Sequence, residues 1–441
     1  MSSPKAGHAA VLVIFAVALI ARVGFSFARD TVAQNTGLEV GSDGYELIAA
    51  NLVTGHGYCF RTDLAETLSR PPGYPLFLAA VFWVFDGLKL WPVQLTQALL
   101  GALTACMTYL LVLPLGRRAA ILGGLIFAIY PGDLVACSRY LAEPLSMVAL
   151  MAAMLLIRRL LGRPNALFLG LALGSCFLVM VLSRDINFVL PVLLLVTAVA
   201  LPSAKGHRRA FLKVAALALV PAIVGSSLWC WRNYRLSGMV VFPSSNTGCT
   251  AFDGLYIGSH LGGGRTVREL MRESRLLQCE IARAHGIYPE LRFAVFFRDS
   301  RDEAHLSRIL SKEVTHSVIS QPWAFLKRSA LGMARFWYLG PSPRVSWVAA
   351  ALNVPLLFFA CVGIWRTIRL RHHGAVLWLV VILYYNVACA IVNPLVRYAL
   401  PTIPFLAALA GLALSMYWQK PPHRSTPPAS EGLAVDRSSR T

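Results

Sequence analysis

The sequence predicts an all-α, multi-pass membrane protein with about ten transmembrane helices and further juxtamembrane helices on its outer face. Of the 441 residues, 56% belong to the hydrophobic set AVILMFWYC and only 14% are charged, whereas an ordinary soluble domain is about 25% charged. The mean hydropathy is +0.60. So few charges cannot cover the surface of a soluble enzyme, and so apolar a chain is not disordered.

The net charge of +20 arises from 41 Lys and Arg residues against 21 Asp and Glu residues. Such an excess also suits nucleic-acid-binding proteins, but here four short loops between apolar runs carry basic residues and no acid, as in membrane proteins. We therefore expect membrane lipid as a partner and no nucleic acid. The nine cysteines show no CxxC motif and no metal-ligand spacing.

The first apolar run, residues 8–28, lacks a small-residue cleavage site and is predicted to be a retained helix rather than a signal peptide. Eight more runs are long enough to span a bilayer: 92–114, 140–157, 164–183, 186–202, 210–231, 345–365, 375–393 and 398–418. The run 72–88 and the short run 119–132 are ambiguous from length alone.

Four loops carry basic residues and no acid: Arg117 and Arg118; Arg158, Arg159 and Arg163; Lys205, Arg208, Arg209 and Lys213; Arg366, Arg369 and Arg371. The positive-inside rule places all four in the cytoplasm only if 72–88 does not cross, so this run is predicted to be interfacial or re-entrant. The run 119–132 forms a hairpin with 140–157, and either a short crossing or a re-entrant loop satisfies the rule.

This topology predicts a cell (inner) membrane protein with both termini in the cytoplasm. Residues 1–420 form a single transmembrane domain, and the Pro- and Ser-rich residues 421–441 form a disordered cytoplasmic tail. Two segments, 29–91 and 232–344, lie outside. The second has helical patterns near 265–285, 301–319 and 322–338, of which the last reads as an amphipathic helix on the outer interface.

Two acids in these outer regions are candidates for chemistry. Asp43 precedes a short helical pattern, and its position also suits a helix N-cap. Glu143 opens a long apolar helix and is followed by Pro144, so it is either a helix-start acid favoured by the helix dipole or a functional near-membrane acid.

Arginines at the apolar boundaries form the second set of candidates. Each also has a simpler interpretation: Arg184 as an ion-pair partner of Asp185 or a snorkelling arginine, Arg232 as an interface anchor among aromatics, and Arg397 as a turn charge. Together with the two acids, these arginines suggest a substrate with an anionic head group, because the guanidinium group donates paired hydrogen bonds to phosphate. Cys249 and Cys279 both lie in the second outer segment, where a disulfide between them is one alternative. Cys59, in the first outer segment, makes the number of outer cysteines odd.

These pieces, in this order, resemble the GT-C superfamily of membrane glycosyltransferases, especially the polyprenyl-phosphate-mannose–protein mannosyltransferases and the aminoarabinose transferases of lipid A. The resemblance covers roughly residues 10–415. The matching motifs are the stretch from Asp43 to Tyr58, Arg70-Pro71-Pro72-Gly73-Tyr74-Pro75, Ala142-Glu143-Pro144-Leu145, Ser183-Arg184, Trp231-Arg232-Asn233-Tyr234, Ser245-Asn246-Thr247-Gly248 and Arg397-Tyr398-Ala399-Leu400-Pro401.

The resemblance implies an inverting hexosyl- or pentosyltransferase that moves one sugar from a polyprenyl-phosphate donor to an acceptor hydroxyl on the outer face. The acceptor is a lipid, a polysaccharide or a protein. Asp43 matches the family's catalytic base, and Glu143 is the second catalytic candidate. The candidate substrate-binding residues are Tyr45, Tyr58, Arg70, Tyr74, Arg139, Arg184, Arg232, Asn246, Arg397 and Tyr398.

No cofactor is certain, but some relatives hold a divalent cation, for which Asp43 and Glu143 are the candidate ligands. Gly44 stands where the protein mannosyltransferases have a second acid, which argues against protein O-mannosylation and leaves metal use open. Two alternative functions remain at this stage: a flippase or transporter of a lipid-linked glycan, and an outer-face glycan polymerase or ligase. A transporter favours polar residues at mid-membrane, which are scarce here.

Overall fold

The computed structural model describes residues 4–36, 43–163, 166–291 and 295–417. The predicted tail, 421–441, lies outside these residues. The described helices are α1 Pro4–Thr36, α2 Tyr45–Val53, α3 Gly73–Val84, α4 Leu90–Val112, α5 Arg117–Ala128, α6 Pro131–Cys137, α7 Glu143–Gly162, α8 Leu167–Ser183, α9 Leu190–Ala200, α10 Arg208–Ser237, α11 Asn246–His260, α12 Val267–Ala284, α13 Ser300–Ser320, α14 Pro322–Arg335, α15 Pro343–Arg369, α16 Ala375–Val392 and α17 Ile403–Leu414.

Short 3-10 helices at Leu113–Leu115, Asp185–Asn187, Pro202–Ala204 and Val396–Thr402 extend or join these elements. The strands β1 Glu290–Leu291 and β2 Val295–Phe296 form one small antiparallel pair, in which Glu290 faces Phe296.

Seven described helices are long and apolar enough to cross a membrane, so the chain is a multi-pass membrane protein. They are α1, α4, α7, α10, α15, α16 and α17, the last with its preceding 3-10 turn. The pair α5 and α6, which covers the ambiguous run 119–132, passes the same test together but is bent by 51°. The two remaining predicted spans are shorter apolar helices, α8 and the segment Asp185–Ala200.

Helix α3 occupies the ambiguous run 72–88 and has only 12 residues. At about 1.5 Å per residue it reaches roughly 18 Å, well short of the roughly 30 Å hydrocarbon core of a bilayer. It belongs with α8 and the segment Asp185–Ala200 to the shorter apolar helices, and that this run does not cross stays a prediction.

Helix α17 lies at the centre of the bundle, with 83% of its most apolar window buried. Small residues let its neighbours approach closely, as is common between membrane helices. A Cβ added to Gly411 would lie 2.4 Å from the backbone nitrogen of Gly123 in α5, and one added to Gly363 in α15 would lie 2.1 Å from the Leu409 carbonyl oxygen. These contacts join α5, α15 and α17 backbone to backbone.

A buried ion pair joins α1 to α6, and the sequence did not predict it. Arg22 donates from Nε to Asp133 at 2.9 Å, and both side chains have no exposed surface. The Arg22 guanidinium also donates to the carbonyl oxygens of Ala18 and Ala128, at 2.8 Å each. Gly101 provides the space, because a Cβ there would lie 2.2 Å from Arg22 Nε. A charge at this depth is tolerated because it is paired and hydrogen-bonded.

The segments 43–89 and 238–342 meet at one end of the bundle, which we call the loop face. The Phe60 ring packs edge-on against Phe296 with 5.0 Å between ring centres, and Arg61 donates to Glu290 at 2.8 Å. At the opposite end, Arg158 of the second basic loop donates to the Leu110 carbonyl oxygen at 2.8 Å. The acid-free basic loops therefore lie away from the loop face.

Candidate active site

The two candidate acids, 100 positions apart in the chain, converge on one arginine at the loop face. Arg397 donates from Nη2 to Asp43 Oδ2 at 2.5 Å and from Nε to Glu143 Oε1 at 2.6 Å. Asp43 precedes α2, Glu143 is the first residue of α7, and Arg397 lies in the 3-10 turn after α16. The structure therefore brings the predicted catalytic pair together through a third predicted residue.

A second arginine completes this cluster. Arg184 Nη1 lies 2.8 Å from Glu143 Oε1. The Tyr398 ring lies beneath both cations, with its centre 5.4 Å from Arg184 Cζ and 5.7 Å from Arg397 Cζ. Two carboxylates and two guanidinium groups thus balance in formal charge. The structure pairs Arg184 with Glu143 rather than with its neighbour Asp185, which accepts a hydrogen bond from Ser244.

The Asp43 carboxylate is free to meet Arg397 because it does not cap α2. The N-cap position belongs to Gly44, whose φ of 80° is left-handed, and no side chain caps the helix. Only glycine adopts this φ without a steric penalty. Arg70 donates to the Asp43 carbonyl oxygen at 3.1 and 3.3 Å and so fixes the backbone at this point. The helix-cap interpretation of Asp43 is therefore wrong.

Asp43 is ionised at neutral pH. Burial opposes the charge, but the positive charges of Arg397, Arg70 and Arg184 together outweigh burial and hold the pKa of the Asp43 carboxyl below its usual range. The second oxygen of Glu143 is buried and accepts no hydrogen bond, whereas its first oxygen contacts both arginines. The cluster thus contains one ionised carboxylate with partial exposure and one buried acceptor oxygen that is unused.

Aromatic side chains form the wall beside the cluster. The Tyr45 ring lies under the Arg70 guanidinium at 5.4 Å and meets the Tyr74 ring edge-on at 5.0 Å. Tyr74 donates to Gln97 at 2.7 Å, and the Gln97 amide donates to the Arg139 carbonyl oxygen at 2.6 Å. Burial raises the pKa of Tyr45 to about 12, so this phenol stays protonated at neutral pH.

Arg232 and Tyr58 form a separate group next to the cluster. The Arg232 guanidinium lies over the Tyr58 and Trp229 rings, at 5.0 and 4.7 Å. It also donates to the Thr67 carbonyl oxygen at 2.7 Å and pairs with Glu66 at 3.2 Å. No described contact links it to Asp43 or Glu143, so Arg232 holds the 66–70 loop rather than the acids.

Asn246, predicted to bind substrate, opens α11 and donates to Thr250 one turn later at 2.9 Å. Within the described contacts it stays apart from the acids. The option of a disulfide between Cys249 and Cys279 is not realised, because both thiols are free.

Sequence reasoning missed Glu303, a buried acid in α13 that grips the 66–70 loop. Its carboxylate accepts from Thr67 Oγ1 at 3.1 Å, from the Leu68 backbone nitrogen at 3.2 Å and from Ser245 Oγ at 2.5 Å. Burial raises the pKa of Glu303. Arg70, which fixes the Asp43 backbone, belongs to the same loop. No spacing pattern connects a residue near position 300 to one near 67, so the sequence carried no signal for this contact.

The cluster does not fit a divalent cation bridging Asp43 and Glu143. Both carboxylates already face Arg397, and Glu143 also contacts Arg184. In the part of the chain that the structure describes, no three His, Cys, Asp or Glu side chains come together as a metal site requires. Positive charge between the two acids is supplied by arginine.

No protein-family model and no curated protein matches the chain. Among solved structures it is similar to the archaeal oligosaccharyltransferase AglB from Archaeoglobus fulgidus, in complex with an inhibitory peptide and a dolichol-phosphate. The TM-score is 0.54 at 15% identity, over 93% of this chain and 50% of that one. For the A. fulgidus enzyme in complex with Zn and sulfate, the TM-score is 0.51 at 13% identity, over 92% of this chain and 49% of that one.

ArnT from Cupriavidus metallidurans, bound to undecaprenyl phosphate, aligns at 17% identity over 93% of this chain and 77% of its own, with a TM-score of 0.40. The chain spans about half the length of AglB. The superpositions on AglB show that the chain shares its fold with about half of that enzyme. The fold implied by the sequence resemblance is thereby confirmed.

Proposed function

We propose that the chain is an integral-membrane, inverting glycosyltransferase. It moves a single sugar from a polyprenyl-phosphate donor to an acceptor hydroxyl at the loop face, which is the extracytoplasmic side. One observation carries this proposal: an ionised aspartate and two arginines meet at the boundary of a GT-C bundle. The dolichol-phosphate bound to AglB, with which the chain shares its fold, supports the choice of donor class.

In this reaction the acceptor oxygen attacks the anomeric carbon and its proton passes to the Asp43 carboxylate. The bond between that carbon and the phosphate oxygen breaks, and its electron pair leaves with the polyprenyl phosphate. Attack and departure on opposite faces invert the anomeric centre. Arg397 and Arg184 stabilise the negative charge that develops on the leaving phosphate, and such electrostatic help is often the largest catalytic contribution.

Arg397 couples the donor to the base in this scheme. A donor phosphate is a stronger partner for a guanidinium than a carboxylate that is already shared. When the phosphate draws Arg397 away from Asp43, the aspartate loses its main stabilising charge and becomes more basic. Asp43 thus becomes an effective proton acceptor only after the donor has bound.

The test is sugar transfer by the full chain reconstituted with radiolabelled polyprenyl-phosphate sugars and membrane extract as the source of acceptors. We expect the wild-type protein to consume one donor and Asp43→Asn to lose about 10²–10⁴-fold in rate, the usual contribution of a positioned base. The matched control is Asp63→Asn, an exposed acid of the same segment that pairs with Arg61. Near-normal turnover by Asp43→Asn, or consumption of no donor by the wild-type protein, would contradict the proposal.

A further inference from the structure

The 3-10 turn 185–187 directly follows Arg184 and is fixed by hydrogen bonds at each of its three residues. Its first residue accepts from the connection between α10 and α11. The Tyr384 hydroxyl of α16 donates to the carbonyl oxygen of Ile186. The backbone nitrogen of Asn187 donates to the Arg184 carbonyl oxygen at 3.0 Å and closes the turn. The backbone that carries the Arg184 side chain therefore has a defined position.

The side chain of Asn187 is fully buried and makes three hydrogen bonds. Its amide nitrogen donates to the Met180 carbonyl oxygen of α8 and to the Ser146 hydroxyl oxygen of α7, at 2.8 Å each. Its amide oxygen accepts from the Tyr385 hydroxyl of α16. Because the Met180 carbonyl can only accept, a single orientation of the amide satisfies all three partners.

The elements that Asn187 joins are those that support the acid–arginine cluster. Ser146 lies three residues after Glu143 on α7, and helix residues at this spacing share one face. Asn187 itself lies three residues after Arg184, and α16 leads into the 3-10 turn that carries Arg397. One buried amide thus connects the three parts of the fold from which the Glu143, Arg184 and Arg397 side chains extend.

This network has no formal charge, which suits it to a supporting role. A neutral support leaves the guanidinium charges of the cluster to act on a bound phosphate. A buried polar network in which every member is satisfied favours one arrangement of the elements that it joins. Positive charge that is held in place before the reaction is effective because no reorganisation is needed when negative charge develops.

We propose that Asn187 is a positioning residue that holds Arg184 where the charge of the leaving phosphate develops. It acts through its bonds to α7, α8 and α16 and does not itself touch the substrate. This inference rests on the proposed function, because it takes Arg184 to be a stabiliser of that phosphate. A displaced Arg184 weakens an interaction that is needed most in the transition state, so kcat should fall while the donor KM changes little.

The experiment is a double-mutant cycle on sugar transfer by the full reconstituted chain, with Arg184→Gln and Asn187→Ala alone and combined. Arg184→Gln leaves Glu143 paired with Arg397 and should lower kcat by about 10²–10³-fold, as loss of one preorganised donor does. Asn187→Ala should lower kcat by about 10²-fold, the effect of a displacement of roughly 1 Å. Because Asn187 acts through Arg184, the combined variant should match Arg184→Gln alone to within about 2-fold.

Asn353→Ala is the matched control. Asn353 is also a fully buried amide, in α15, which accepts from the Tyr130 hydroxyl at 2.8 Å and donates to the Trp337 carbonyl oxygen at 2.7 Å. Its partners are of the same kind as those of Asn187 but lie outside the turn 185–187. Asn353→Ala should lower Tm, and it should change kcat by the same factor in the wild-type and the Arg184→Gln backgrounds.

Tyr385→Phe is the second variant, for the case that Asn187→Ala does not fold. It removes only the hydrogen bond from α16 to the Asn187 amide oxygen and keeps the aromatic ring. It should lower kcat in the wild-type background and have little further effect in the Arg184→Gln background.

Losses that multiply in the combined variant, or a wild-type kcat in folded Asn187→Ala, would overturn the positioning role. If Arg184→Gln itself keeps the wild-type kcat, Arg184 does not stabilise the leaving phosphate, and the inference fails with that step. By contrast, a wild-type protein that transfers no sugar contradicts the proposed function as a whole. The failure of the inference and the failure of the proposed function are therefore distinguishable.

Discussion

At the scale of single residues, the shared guanidinium of Arg397 is the feature on which the proposed chemistry depends. It contacts two acids that belong to different parts of the chain, and one of them is the proposed base. A general base is useless when protonated. By keeping Asp43 ionised, Arg397 extends the pH range in which the resting protein is competent.

The lowered pKa of Asp43 predicts how the rate depends on pH. Because the pKa of Asp43 is below its usual range, acidification protonates it only below about pH 3.9, the ordinary value for aspartate. We expect kcat/KM of the wild-type protein to stay level as the pH falls from 8 to 5. In Arg397→Gln the maximal rate should fall and the loss on acidification should begin at higher pH.

Arg397→Lys is the control for this pH profile, since it keeps the positive charge but not the bidentate geometry. This variant should have a lower rate, but its kcat/KM should stay constant as the pH falls from 8 to 5. An unchanged pH profile in Arg397→Gln would show that another group sets the protonation state of the base.

The residue types at the site were predictable, but their pairing was not. Asp43, Glu143, Arg184 and Arg397 stand out because charges are rare beside apolar runs. Arg232 stands out for the same reason, yet it lies with Tyr58 and Trp229, outside the acid cluster. A guanidinium reaches several ångströms in any direction, so its partner depends on tertiary packing rather than on its neighbours in sequence.

At the scale of secondary-structure elements, the 66–70 loop is held from two sides. On one side, Glu303 of α13 accepts hydrogen bonds from the Thr67 hydroxyl and the Leu68 backbone nitrogen of the loop, and from the hydroxyl of Ser245. On the other side, Arg232 of α10 donates to the Thr67 carbonyl oxygen. The loop in turn presents Arg70 to the Asp43 backbone. The second loop-face segment thus positions a residue of the first.

Glu303→Ala tests this clamp. It leaves the donors of Thr67, Leu68 and Ser245 without an acceptor, so we expect a lower Tm and a fall in kcat of about 10²-fold, the size of effect that follows a displacement of roughly 1 Å. The donor KM should change little, because Glu303 makes no described contact with Arg184 or Arg397.

Asp253→Asn is the matched control, because Asp253 is also a buried acid of the same segment. It accepts from Ser274 and Gln278, at 2.6 and 2.7 Å, and not from the 66–70 loop. Its substitution should lower Tm and leave kcat near that of the wild-type protein. Equal losses of kcat in both variants would reduce Glu303 to a general stabilising role.

Helix α11 shows why some elements escaped prediction. Its glycines lower helix propensity by about 1 kcal/mol each, and no helix was expected at 246–260. In the structure they permit close packing: a Cβ on Gly248 would lie 2.2 Å from the Ser307 carbonyl oxygen, and one on Gly254 would lie 1.5 Å from that of Val392. Tertiary contact overrides local preference here. The long apolar runs, by contrast, were predictable because the bilayer dictates their length.

At the scale of the whole molecule, the basic loops and the candidate site lie at opposite ends of the bundle. Arg158 and Arg366 bond to carbonyl oxygens at the far ends of α4 and α17, whereas Asp43, Glu143 and Arg397 lie at the loop face. This separation, combined with the positive-inside rule, is the basis for an extracytoplasmic site.

Cysteine labelling in intact cells tests the sidedness. With the native cysteines replaced, Arg117→Cys and Gly206→Cys should react with an impermeant maleimide only after the membrane is opened. Asp63→Cys, at an exposed position of the loop face, should react in intact cells. Labelling of position 117 or 206 from outside would invert the topology and move the proposed site to the cytoplasm.

The long separation between Arg397 and its partners also has a consequence for biosynthesis. Asp43 and Glu143 emerge early from the ribosome, but the guanidinium that joins them is translated more than 250 residues after Glu143. Until then the two carboxylates lack this shared counter-charge, and the reactive centre is incomplete. A nascent chain halted before Arg397 lacks the charge that joins the two acids, so under the proposed function we expect a partly translated chain not to consume the sugar donor.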